Sequence, residues 1–344
     1  MRFVCKFAFA SLIVIAFAIN LIGCGEESDN TNINTNVSKG VYVINGKAQT
    51  LSVLDVAKGE MKNDVMNTGK WPADIKIFGE KAYAVNSGDN NVQIIDLATI
   101  KQSGLINTGD NTSPERIAFA DDKKAYVTCL NTNSVKAVDL TTQKVTKDIA
   151  VGVGPMGVTV ANKKAYICNS AYDFAKNSYG KGTVSVIDSS KDAVTKTIDV
   201  STNPLEALTV GGKVIILCVG NYADVMGKLC IIDSASDTVS KTIDLGTTPS
   251  GIAISPKSVA YITTFGGLIA VDINSGIVVH GASSPLKDFA GGSGIAFSNG
   301  GNAYICIADW EGKGNDKLLV MDASEKLIAT YKAGGGASIV AVKD

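Results

Sequence analysis

The chain has 344 residues, a formal net charge of −1 and one histidine, and 45% of it is hydrophobic while 6% is aromatic. Its lysines form no cluster of the kind that makes an electrostatic footprint for nucleic acid, so no nucleic-acid partner is expected. A lone histidine (His280) excludes sites built from two or three histidines, and wherever that residue is absent it also excludes histidine-ligated haem and His-based acid–base chemistry.

Arg2 and Lys6 open the chain, and residues 7–22 are apolar except for Ser11 and Asn20. A charged start followed by a short apolar run reads as an export signal, and this run falls below the roughly 20 residues of a membrane-spanning helix. Leu21-Ile22-Gly23-Cys24 resembles the lipobox of bacterial lipoproteins, with a branched residue, a small residue before the cysteine and a polar tail after it. That resemblance implies cleavage after residue 23 and acylation of Cys24. The competing expectation is an uncleaved N-terminal anchor with an incidental cysteine. Three acyl chains would hold far more firmly than one, since each buried methylene contributes about 0.8 kcal/mol. Gly25 in place of the Asp associated with inner-membrane retention directs the expectation to the outer membrane, periplasmic or surface-exposed. Residues 24–39 carry too few apolar side chains to offset ordering entropy and read as a flexible tether. Loss of Arg2 and Lys6 would move the net charge from −1 to −3.

From residue 40 the sequence repeats. Six segments share a short strand pattern with tyrosine second: VYVIN at 41, then AYAVN, AYVTC, AYICN, AYITT and AYICI; VIILC at 214 fills a seventh slot with Ile215 for tyrosine. Each is followed by a strand ending in aspartate: Asp55, Asp96, Asp139, Asp188, Asp233, Asp272 and Asp322, spaced 41, 43, 49, 45, 39 and 50 residues apart. That is the period of a four-stranded propeller blade. With these as second and third strands, an inner strand precedes each (74–78, 116–120, 157–161, 206–210, 251–255 and 294–298) and an outer strand follows. The first blade has no inner strand before it, and residues 337–342 have nothing after them. The expected fold is therefore an all-β, seven-bladed β-propeller closed by pairing of the C-terminal strand with the N-terminal blade, leaving no open edge.

The strands AYICN and VSVID and the run TIDV before a Pro-containing inner strand resemble the YVTN repeat family of seven-bladed propellers, over residues 40–344. The resemblance implies the fold and says little about activity. The seven aspartates, each followed by turn residues, read as acceptors for backbone N–H groups. Of the five cysteines beyond Cys24, most occupy repeat slots held elsewhere by Thr, Asn or Ile and read as small buried residues. Cys218 and Cys230 flank the blade-five loop and could be joined if the register allows.

Strands alternate in direction, so second-to-third and outer-to-inner connections share one rim, the top. Those between second and third strands have 5, 5, 5 and 3 residues in blades one, two, three and six, but 14, 10 and 10 in blades four, five and seven. Long loops on a rigid scaffold are where recognition sits. Here they carry Tyr172, Phe174, Tyr179, Tyr222 and Trp310, with Phe265 and Trp71 on neighbouring connections, and surface aromatics are favoured anchors. The same rings could instead pack together and hold the loops down. Ringing the mouth are Asp74, Arg116, Gly157, Glu206, Gly251, Gly294 and Ser338. Arg116, the one arginine after Arg2, could grip a carboxylate or phosphate or could pair with Asp74 or Glu115. The expected function is a binding or scaffold module for a protein, peptide or glycan, acting as a monomer; the alternative, by resemblance to lactone-hydrolysing propellers, is hydrolysis of a small anion near Arg116 and Glu206. No cofactor is expected. Calcium is the one cation with possible ligands, Asp309, Glu311, Asn315 and Asp316 with Asp173 or Asp224, although the spacing does not match an EF-hand.

Overall fold

The computed structural model describes residues 39–344, so the expected export signal, Cys24 and the expected tether up to residue 38 lie outside the described residues. Seven four-stranded antiparallel sheets follow one another around a ring. Blade four shows the pattern: Pro155–Ala161 innermost, then Lys164–Asn169, Thr183–Asp188 and Ala193–Asp199 at the rim. Second strands such as Gly40–Asn45 are buried along their whole length because a neighbouring blade covers each face, while outer strands such as Lys144–Ala150 are largely exposed. Val, Ile and Tyr dominate the buried strands, as suits a pleated surface packed on both sides.

Closure follows the expected route. Ala337–Lys343 pairs antiparallel with Gly40–Asn45, from Gly40 opposite Lys343 to Asn45 opposite Ala337. Apolar side chains gather into one cluster at each of the seven seams between blades. At the closing seam Val41, Val43 and Val340 of blade one pack on Tyr304, Cys306 and Leu318 of blade seven. The ring is therefore sealed by hydrophobic burial as well as by the ladder.

All seven repeat aspartates accept backbone N–H bonds in the turn that follows, as Asp139 does from Thr141 (2.7 Å) and Thr142 (3.2 Å). A second device at the bottom rim ties blades together. Tyr126 and Tyr166 donate their hydroxyls to Asp192 and Asp237 at 2.5 Å, and Tyr261 donates to Glu325 at 2.7 Å. Each acceptor sits in the third-to-outer turn of the next blade, three or four residues after its repeat aspartate. Where Ile100 takes that place in blade two, the Tyr42 hydroxyl is buried without a partner.

Every inner strand opens with a register shift against its second strand, for example between Pro72 and Asp74 and between Pro204 and Glu206. Such bulges re-aim side chains, and here they occur at the residues of the channel mouth. Blade six has an outer strand of only three residues, Val278–His280. Leu286 takes over the upper edge by exchanging both backbone bonds with Leu268, so the edge stays covered. His280 lies on that outer strand and bonds Glu325 at 2.8 Å.

Candidate functional site: the top rim and channel mouth

The connections on the top rim include the long 170–182 in blade four, 219–227 in blade five and 308–316 in blade seven, the tight hairpin 265–266 in blade six and the outer-to-inner connection 68–71. The blade-four loop forms its own two-residue ladder, Tyr172–Asp173 against Ser178–Tyr179. Asp173 accepts the amides of Ala175 and Lys176 beneath it. In blade five the Asn221 carboxamide oxygen accepts the amides of Ala223, Asp224 and Val225 at 2.9–3.1 Å. Both loops are thus shaped by their own polar groups, and in blade four the Tyr172 hydroxyl joins them by donating to Asn177.

The rings form a chain across two blades. Phe174 meets Tyr172 edge-on at 4.8 Å between centroids, Tyr172 leans on Tyr179 at 4.8 Å, and Tyr179 faces Tyr222 at 6.2 Å. Tyr172 and Tyr179 thus pack the two loops together, as one of the two expectations for these aromatics has it, while Phe174 remains 63% exposed. Among the described residues five aromatic side chains are exposed, namely Trp71, Phe174, Tyr222, Phe265 and Trp310, and all five stand on top-rim connections. No ring-to-ring contact joins the Tyr172–Tyr222 group to Trp71 or Phe265.

Trp71 is held in an unusual way. It has φ = +49° and precedes the inner strand Pro72–Phe78. The equivalent residues of five other blades also have positive φ, and they are Ser113, Gly154, Asn203, Gly291 and Gly336. Small or polar residues tolerate that region; a bulky one there is strained by about 1–3 kcal/mol, a cost that persists only where the surroundings impose it. The surroundings are visible: Trp71 O accepts the amide of Ser87, Lys70 O that of Gly88, and a Cβ on Gly88 would meet Trp71 Cε3 at 3.0 Å.

At the channel mouth Arg116 of blade three reaches past blade four to Glu206 of blade five. Its Nε donates to Glu206 Oε1 at 2.8 Å and its Nη2 to the same oxygen at 2.5 Å, while Nη1 donates to Ala73 O and Glu115 O. Four of the five guanidinium N–H groups are thereby used. The closer partner is Glu206, with Glu115 of the expected pair at the outer limit of an ion pair; Asp74 instead accepts the amide of Ile117. Gly157 makes the crossing possible, since a Cβ there would stand 2.8 Å from the Glu206 Cα. Glu115 lies beside the pair, 4.0 Å from Arg116 Nη1, and takes the hydroxyls of Ser87 and Ser113 at 3.5 and 3.4 Å.

Burial pushes the Glu115 carboxyl up to about 7, with the Arg116 charge pulling the other way. A carboxyl that holds its proton more tightly folded than unfolded stabilises the fold below its ordinary value of 4.5, and that contribution is lost as pH rises towards 7. Thermal denaturation across pH 4–8 should therefore show wild type losing stability relative to Glu115→Gln through this window. A difference between the two proteins that does not vary with pH would contradict it.

The acidic loop of blade seven is already engaged. Asp309 accepts amides from Glu311 and Asn315, and one oxygen of buried Asp316 accepts those of Asp309, Gly336 and Ala337. Carboxylates turned towards N–H groups in this way serve the loop, and among the described residues no cluster of three metal-ligating side chains occurs.

No protein-family model matches the chain, and no curated protein does. Solved structures do resemble it. A functionally unknown protein from Desulfotomaculum acetoxidans has a TM-score of 0.68 at 16% identity, covering 88% of this chain and 98% of that one. The hydrazine synthase of Kuenenia stuttgartiensis follows at 0.65 and 18%, covering 78% and 88%. A quinoprotein alcohol dehydrogenase-like protein from Bacteroides thetaiotaomicron reaches 0.65 at 15%, covering 89% and 79%. At such identities the likeness is one of fold.

Proposed function

We propose that this chain is a lipid-anchored propeller of the bacterial cell envelope, of the YVTN repeat type, that captures a ligand on its top face. The observation that carries this reading is the placement of all five exposed aromatics on one rim of a ring whose other described aromatics are buried or half-buried. Exposed rings combine apolar area with few rotamers, and they favour a ligand with flat apolar faces, a feature shared by sugar rings and by side chains of an extended peptide. Trp71, Tyr172, Tyr222, Phe265 and Trp310 would contact the ligand together with Phe174. Arg116 and Glu206 would shape the mouth through their mutual pair. That pair leaves little free charge for gripping a small anion, so the observations favour binding over hydrolysis.

Chain direction supports the anchored arrangement. Gly40 enters the ring at the bottom rim, because its strand runs upward to the hairpin at 46–49. A tether of residues 25–39 spans at most about 50 Å when extended. An acylated Cys24 would thus attach the ring by its bottom rim, and a flexible tether of that reach leaves the aromatic face free to turn away from the membrane.

The test is capture from a detergent-solubilised envelope extract by the full-length protein and by a Trp71→Ala/Phe174→Ala/Tyr222→Ala variant. Each anchor lost should weaken binding by about 1–2 kcal/mol, so the variant should lose its captured partner at unchanged melting temperature. A partner held equally by both proteins would place the site elsewhere.

A further inference from the structure

Blades four and five share a seam in which Cys168, Cys218 and Cys230 pack in one buried cluster. Two of these thiols touch. Cys218 Sγ lies 3.9 Å from Cys230 Sγ, both side chains are at most 1% exposed, and neither is bonded covalently. Cys218 ends the second strand and Cys230 is the third residue of the third strand, so they lie on either side of the loop 219–227 that carries Tyr222. Among the described residues every other cysteine, Cys129 and Cys306 as well as Cys168, is also a free buried thiol.

We propose that Cys218 and Cys230 form a reversible intramolecular disulfide that locks the aromatic blade-five loop at its base. Register makes this bond labile. Cys230 stands opposite Ile216 and Cys218 opposite Lys228, so the two thiols are diagonal neighbours on one face of the sheet. Closing from 3.9 Å to a bonded separation of about 2.05 Å requires the strand ends to shift, and disulfides formed against such resistance are the more easily reduced. The resistance sits at the base of the loop: Gly220 has φ = +85°, and a Cβ on Gly227 would strike Pro249 Cδ at 2.4 Å, so the backbone at both ends is closely packed.

Cys230 is the attacking group. The neighbouring Cys218 thiol pairs with its sulfur, the Thr242 hydroxyl donates to it (3.8 Å) and the Ser201 hydroxyl oxygen accepts from it (3.6 Å); these partners draw it down to about 6 against the opposing effect of burial. The hydrogen bond to Cys230, with burial adding to it, drives Cys218 the other way. The oxidant is a small disulfide, reached when the loop lifts. Cys230 thiolate attacks one of its sulfurs and expels the first thiol. Cys218 then attacks the mixed disulfide and expels the second, so the two thiol protons leave with two reduced thiols and the electron count balances. The bond itself does not depend on the top-face reading; only its consequence for ligand binding does.

The experiment treats full-length protein with glutathione disulfide, then maps peptides after unfolding and alkylation. The proposal expects a cross-linked peptide pair containing Cys218 and Cys230, about 2 Da lighter than the two thiol peptides, that is lost again in excess reduced glutathione while Cys129 and Cys306 stay alkylated. Hydrogen exchange at 219–227 should slow several-fold in the cross-linked form. Cys218→Ala, which keeps the buried site apolar, should give no cross-link. A bond to Cys168, a lasting glutathione adduct on Cys230, free thiols at both positions after oxidation, or unchanged exchange in the loop would overturn the proposal. A cross-link that slows exchange without altering capture of an envelope partner would leave the latch standing and count against the top-face reading instead.

Discussion

Replacing Arg116 by alanine is expected to destabilise the ring by about 3–5 kcal/mol, the usual consequence of removing one member of a buried ion pair. The side chains of Arg116 and Glu206 are only 16% and 19% exposed, so solvent cannot take over for the lost partner. Glu206 would keep its charge beside Glu115 with no cation between them, and the carbonyls of Ala73 and Glu115 would each lose a donor. Urea denaturation of the single variant and of an Arg116→Met/Glu206→Leu variant separates the causes. The double variant should recover most of the loss, because it removes the uncompensated charge together with its partner. A cost below about 1 kcal/mol for the single variant would mean that the pair is solvated and that the mouth is open to external anions after all.

The second large effect is expected at the closing seam. A Cβ on Gly294 would lie 2.3 Å from the Ser338 carbonyl oxygen and 3.1 Å from its carbon, so Gly294→Ala must push blade seven away from the terminal strand that completes blade one. Overpacking against backbone, which cannot rotate aside as a side chain does, should cost about 2–3 kcal/mol. Gly266→Ala, where the nearest atom is 3.9 Å away, serves as the control with little change. Equal melting temperatures for the two variants would deny the close approach of the inner strands.

Much of this arrangement was legible in the residues. Seven aspartates at blade spacing gave the number of blades, and the missing first inner strand together with the unpaired run at the C-terminus gave the closure. Strand direction alone puts residues such as Trp71 and Trp310 on the top face, since direction around a blade is fixed once the strands are counted. Other features carry no local signal. The link from Arg116 to Glu206 depends on Gly157 being flush with the next blade, and it joins residues 90 positions apart. The inner-strand bulges follow from how seven strands crowd one axis, which no pattern of period two records. The strain at Trp71 appears only after its equivalents, Gly154 and Asn203 among them, are superposed by fold. The tyrosine latches are a middle case: Asp192 and Asp237 are visible in the sequence, but their partners Tyr126 and Tyr166 lie in the preceding blade.

Closure of the ring is what gives the top rim its meaning, since it fixes which connections share a face. Native-state hydrogen exchange followed by mass spectrometry tests it directly. Amides within Ala337–Lys343 should be protected as strongly as those of Gly40–Asn45 and should exchange with them in a single cooperative opening. Exchange of the C-terminal strand at the rate of unstructured chain, with the first blade still protected, would contradict the closed seven-bladed ring and the single aromatic face that depends on it.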